Sequence, residues 1–134
     1  MSSPELRYGI TRTFPGADFD AIVQRTTEAL KTEGFGVLTT IDMRDTMKKK
    51  LDVEFPRYLI LGACNPRLAH QALVAEPGVG LLLPCNVTVF EAEGGLVTVQ
   101  SIKPDVMFEV IKRSDLEDTM REASERLQRV MDRI

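Results

Sequence analysis

With just two cysteines and one histidine in 134 residues, the chain has a small stock of the side chains that bind soft metals or act as nucleophiles. A metal centre built on Cys64, His70 and Cys85 would need further ligands, which the sequence barely offers. No CxxC or HExxH spacing occurs, and no Ser-His-Asp order stands out. Long apolar runs are missing as well. Nothing approaches the roughly 18 consecutive apolar residues of a membrane span. The stretch MSSPELRYGITRTF lacks a basic segment followed by an apolar one, so no secretory signal is expected. Positive charge is not in excess, for the formal net charge is −3. The one basic run, Lys48-Lys49-Lys50, is followed by Asp52 and Glu54 and reads as a solvated helix face. A nucleic-acid surface would need clustered Lys and Arg. These absences predict a cytoplasmic protein with no nucleic-acid and no membrane partner.

What remains has the composition of an ordinary globular chain, 43% hydrophobic and 28% charged. Its length suits one domain, 1–134, around a single core. Alternation of Leu6, Tyr8 and Ile10 predicts a half-buried first strand, broken at Pro15-Gly16. Phe19, Ile22, Val23, Thr26 and Leu30 recur at helical spacing until Gly34 supplies a stop. Phe35, Val37, Thr39 and Ile41 alternate again. Met43, Met47 and Leu51 then mark a short helix, and Pro56 closes that region. Tyr58-Leu59-Ile60-Leu61 has no polar side, which predicts a strand covered on both faces.

Gly62-Ala63-Cys64 continues that strand, and Asn65-Pro66 opens a helix. Asparagine accepts from the first free backbone N–H groups, and proline at the first helical position loses no needed donor. Asn65 is therefore expected to accept from Arg67 or Leu68, a role aspartate would fill equally. Leu68, Ala69, Ala72 and Leu73 form the buried face of this helix, and His70 falls on the opposite side. Gly78-Val79-Gly80 follows a helix and lacks the lysine of a phosphate loop, so it reads as a plain turn. Two strands then meet at Gly94-Gly95, and a two-residue hairpin there sets Ala92 opposite Val97 and Phe90 opposite Val99. Residues 105–113 fit either a strand or a helical turn. Ser114 with Glu117 forms a capping-box pattern. The final helix carries Leu116, Met120, Ala123, Leu127, Val130 and Ile134 on one stripe, flanked by Glu117–Arg121, Glu122–Arg126 and Glu125–Arg129 pairs.

GACNP, its following helix and GLLLPCNVTVFE resemble the signature of an uncharacterised bacterial and archaeal family, domain of unknown function 302. GFGVLTTIDM and LDVEFPRYLILGACNP resemble it too, so the similarity runs over nearly the whole chain. The resemblance implies an α+β fold with a curved, largely antiparallel sheet packed by helices, TATA-binding-protein-like in outline. It also implies a homodimer. It supplies no activity and no cofactor.

The two Cys-Asn segments mark the candidate site: Cys64, Asn65, Cys85 and Asn86. If their strands are antiparallel neighbours, Cys64 at the end of one and Cys85 at the start of the other converge. Small buried thiols filling tight space are one reading. A redox-active or ligand-binding pair is another, since a helix N-terminus beside Cys64 would favour its thiolate. Asn86 either caps the approach from Pro84 or points into a cleft beside Asn65. Two functions follow: a homodimeric small-molecule-binding or regulatory module, or a thiol-dependent redox protein or enzyme using Cys64 and Cys85.

Overall fold

The computed structural model describes residues 6–134; the first five residues of the MSSPELRYGITRTF stretch lie outside them. The strands are β1 (Gly9–Phe14), β2 (Gly36–Asp42), β3 (Tyr58–Cys64), β4 (Cys85–Glu91) and β5 (Val97–Ile102). The helices are α1 (Phe19–Thr32), α2 (Met43–Leu51), α3 (Pro66–Ala75), α4 (Pro104–Ile111) and α5 (Glu117–Arg133). The sheet order is β1-β5-β4-β3-β2, and every neighbouring pair is antiparallel. The α+β expectation with a largely antiparallel sheet is met.

One face of the sheet carries the core. Phe14, Leu61, Ala63, Val87, Val89, Val97 and Val99 pack against Phe19, Ile22 and Leu30 of α1 and Leu127, Val130 and Met131 of α5. All six residues of the stripe expected on the final helix, from Leu116 to Ile134, are buried. A smaller cluster joins Ala72 of α3, Val79 of the 3-10 turn Pro77–Leu82, Leu116 and Met120, with Phe108 and Ile111 of α4 against it. No helix among the described residues is long and apolar enough to cross a membrane.

The outer edges differ. On β1, the Arg12 guanidinium donates from Nη1 to the carbonyls of Met131 at 2.7 Å and Ile134 at 3.0 Å, and it lies over the Phe14 ring. This ties the edge strand to the end of α5. On β2, six of seven residues are exposed and Val37 alone is half-buried. The alternation of Phe35, Val37, Thr39 and Ile41 therefore does not become an in-and-out pattern. A bulge at Leu38 breaks the register between Val37 and Thr39, and Ile41 faces solvent.

Several expectations need correction. β3 is not covered on both faces, because Tyr58, Leu59 and Ile60 are half-buried. Their open side is partly closed by Tyr58 stacking on Phe90 at 5.0 Å. The hairpin uses three connecting residues, Glu93–Gly95, instead of two. Gly94 and Gly95 both take positive φ, and the Ala92 N–H donates to the Leu96 carbonyl. The pairing accordingly slips by one, with Glu91 opposite Val97, Phe90 opposite Thr98 and Val89 opposite Val99. That slip sends Val89 and Val99 together into the core. Residues 104–111 are helical. Ser114 starts a single 3-10 turn whose side chain makes no cap, and α5 begins at Glu117 without one. In α3, Leu68 and Ala72 are buried but Leu73 is partly exposed.

Candidate functional site

The end of β3 and the start of β4 meet where the sequence analysis placed the site. Cys85 pairs with Ala63, one residue from Cys64, and both thiols are free. Small side chains are required here. A Cβ on Gly62 would stand 2.2 Å from the Thr39 hydroxyl and 2.9 Å from Pro84. The bare backbone at Gly62 therefore lets β2 and the Pro84 segment close over the end of β3.

Cys64, Asn65 and Cys85 line one cavity of about 40 Å³. Its other walls include Phe35, Leu68 and Ala72, the Leu82-Leu83 segment, Met107 of α4, and Thr119, Met120 and Ala123 of α5. No charged residue contributes. Space of that size holds one or two water-sized molecules, and its apolar walls offer water few partners. Burial pushes the Cys64 thiol up from its ordinary value of 9.0. Burial, with the neighbouring Cys64 adding to it, pushes Cys85 up to about 11. Burial thus opposes the thiolate expected at the start of α3, and thiols raised above 9.0 are protonated at neutral pH.

Asn65 is buried and makes two bonds. Its Oδ1 accepts from the Leu68 N–H at 3.3 Å, as a helix cap should. Its Nδ2 donates to the Glu33 carbonyl at 3.1 Å, a bond the local sequence did not announce. Gly34 makes room for it, since Gly34 takes φ +81° and a Cβ there would lie 3.0 Å from Asn65 Nδ2. An aspartate would keep the cap and lose the donor, which removes the expected equivalence of the two residues.

Asn86 does not join Asn65. It is exposed, pairs with Gly62 and points to the open face of the sheet. There it borders a shallow, uncharged groove of about 210 Å³ with Tyr8, Tyr58, Thr88 and Gln100. Thr88 Oγ1 is buried in that region without a partner among the described residues. His70 is exposed, and the described residues contain no group of His, Cys, Asp and Glu able to hold a metal.

Beside the cavity lies a residue that sequence reading passed over. The Glu33 carboxylate, 6% exposed, meets Arg126 at 3.4 Å, Arg129 at 3.0 Å and Arg133 at 2.6 Å. Arg129 thereby turns to Glu33 instead of forming the expected pair with Glu125. The Arg129 hydrogen bond, aided by the charges of Arg129 and Arg133 against the cost of burial, holds Glu33 below its ordinary carboxyl range. The signal was partial: Arg126, Arg129 and Arg133 stand three and four residues apart on one helix stripe, and Arg133 has no acid three or four residues before it.

The comparisons with known proteins bear on the whole chain. The family described as "Domain of unknown function DUF302" matches residues 10–134. The crystal structure of an uncharacterised conserved DUF302 protein from Bacillus stearothermophilus is 27% identical and superposes with a TM-score of 0.85. The match covers 96% of this chain and 98% of that one. No curated protein matches. The matched span takes in every strand and helix described above except Gly9, the first residue of β1, both Cys-Asn segments included, and the chain belongs to the DUF302 family.

Proposed function

We propose that the protein is a homodimeric module that binds a small apolar molecule at the Cys64–Cys85 end of its sheet. The observation that carries this reading is the cavity lined by Cys64, Asn65 and Cys85, apolar almost throughout and free of charged side chains. Its roof is thin. Leu82, Leu83 and Met107 are only half-buried, so a ligand larger than a water would enter by lifting the Leu82-Leu83 segment or α4. Two protonated thiols suit an apolar wall and do not suit a nucleophile, which needs the thiolate.

Thermal unfolding of the full chain in saturating benzene, a compact apolar probe of engineered cavities, tests this. The midpoint should rise for the native sequence and not for Ala123→Leu, which fills the cavity from α5. An equal shift in both, or none in either, rejects the reading.

A second reading, a thiol-dependent redox protein, draws on the neighbouring placement of Cys64 and Cys85 on paired strands. Oxidation by a disulfide such as oxidised glutathione would move two electrons to that reagent and join the two sulfurs. A mass loss of two hydrogens, abolished in Cys85→Ala, would favour it. Glutathione adducts or unreacted thiols would count against it.

A further inference from the structure

The further ligands that Cys64 and Cys85 lack among the histidines and acids are supplied by methionine. Both cysteines and two of the six methionines, Met107 and Met120, line the one cavity at the end of the sheet. They come from four different elements: the end of β3, the start of β4, α4 and α5. We infer that this cavity is a binding site for one soft monovalent cation, of the class of Cu(I), held by a thiolate and the two thioethers. The inference rests on the reading of this cavity as a binding site, gives it a different class of occupant, and does not require a second copy of the chain.

Three observations support it. The first is where the sulfurs lie. Cys85 pairs with Ala63, next to Cys64, and is close enough that an ionised Cys64 makes it harder to ionise. Met107 packs against the core cluster that contains Cys85, and Met120 of α5 is buried. The second is what the walls withhold. No charged residue lines the cavity, and its polar side chains other than the thiols are already engaged. Asn65 bonds the Leu68 N–H and the Glu33 carbonyl, and Thr119 Oγ1 donates to Gln71 Oε1 at 3.3 Å. Calcium and magnesium take oxygen ligands, and zinc takes thiolate, imidazole or carboxylate. Thiolate with thioether selects Cu(I).

The third observation is the balance of charge and space. A thioether binds without losing a proton. When one thiol of the pair releases its proton to solvent, a sulfur–copper bond replaces the sulfur–hydrogen bond, and copper stays Cu(I) throughout. One thiolate and one monovalent cation are together neutral, as an uncharged, apolar cavity requires. A divalent ion with the same ligands would leave a buried positive charge. The space of about 40 Å³ takes a bare ion and leaves no room for a hydration shell.

Anaerobic titration of the reduced full chain with Cu(I), buffered by the coloured chelator bicinchoninate, tests the assignment. The native sequence should take one ion per chain. Met107→Leu and Met120→Leu keep side-chain volume. Each should weaken binding at least roughly tenfold, since changes one shell further from a metal already act on that scale. Cys64→Ala with Cys85→Ala should abolish binding, and Met47→Leu, outside the cavity lining, should not alter it. On the native chain, the carbon-13 methyl resonances of Met107 and Met120 should shift when silver(I), an air-stable ion of the same class, is added; this measurement stands even if a variant fails to fold. Binding that survives both methionine changes, zinc bound as tightly as Cu(I), or no binding at all overturns the inference. Benzene separates it from the earlier reading. Met107→Leu with Met120→Leu keeps the walls apolar and should retain the benzene shift while losing Cu(I). A native chain that answers to benzene and not to Cu(I) overturns the cation site alone, and one that answers to neither overturns both.

Discussion

Strands β1 and β2 occupy the two edges of one sheet, and each has hydrogen-bonding groups that no inner strand satisfies. On β1 the Arg12 guanidinium spans to two carbonyls of the α5 terminus, and beside it Phe14 is buried and Ile10 half-buried against the core. Among the described residues β2 has no comparable tie, and the helix that follows has only Met43, Thr46 and Met47 half-buried. The difference teaches that ordered local structure and intramolecular packing can part company. Near β1 the same residues form the strand and build the core. Near β2 the strand is held by its ladder to β3, and Val37 is its one residue packed against the core.

Substitutions can break or sharpen that contrast. The largest effect is expected from Leu127→Ala, which empties a fully buried position under the sheet and should cost about 3 kcal/mol, typical of large-to-small changes in cores. The matched change on α2, Leu51→Ala, removes a side chain that is 65% exposed and should stay within about 0.5 kcal/mol. Denaturant unfolding at concentrations low enough to dissociate a dimer measures both. If Leu51→Ala costs as much as Leu127→Ala, β2 and α2 have a core of their own and the contrast fails.

Glu33→Gln comes next, at about 2 kcal/mol for charge-assisted hydrogen bonds whose arginine partners are partly solvated. Its pH dependence has a definite sign. The folded state holds the Glu33 carboxyl below its ordinary value of 4.5, so the folded chain binds this proton more weakly than the unfolded one. The contribution is complete above that value and fades as pH falls through it toward the lower folded-state value. The gap between Glu33→Gln and the native chain should therefore close with acidification below pH 4.5. A gap that is constant with pH would show that the charge on Glu33 contributes nothing.

Much of this architecture was legible. The stripe on α5, the stop at Gly34 and the cap at Asn65 are each set by residues within one or two helical turns, so local spacing found them. The hairpin register was missed because two adjacent glycines fit a two-residue turn as well as a three-residue one. Only the packing of Val89 with Val99 decides between them. Glu33 was missed because its partners lie 93 to 100 residues away in the sequence. At the site, Cys64, Asn65 and Cys85 were brought together as the strand order required. Asn86 was separated from them by the two-residue period of β4, which sends neighbours to opposite faces.

A loss smaller than that of Glu33→Gln refines the site side of the comparison. Asn65→Asp should cost about 1 kcal/mol, close to the loss of an ordinary hydrogen bond, because it keeps the bond from Leu68 but can no longer donate to the Glu33 carbonyl. Thermal unfolding of Asn65→Asp beside Asn65→Ala measures it. Native stability in the aspartate variant would mean that the amide's second bond adds nothing.

The tie between β1 and α5 also has a consequence for the order of folding. The Arg12 bonds close intervals of 119 and 122 residues, whereas β2, β3 and β4 follow one another along the chain and pair as successive neighbours. Contacts across long intervals are slow to form because loop closure must be met before they add stability. Strand β1 should therefore be among the last elements to dock. Until it does, the sheet ends at β5, whose VTVQSI sequence is uncharged, rich in β-branched residues and free of proline, a composition prone to intermolecular strand pairing. The edge most exposed to aggregation during refolding is then β5, which the finished fold covers, and not β2, which it leaves bare.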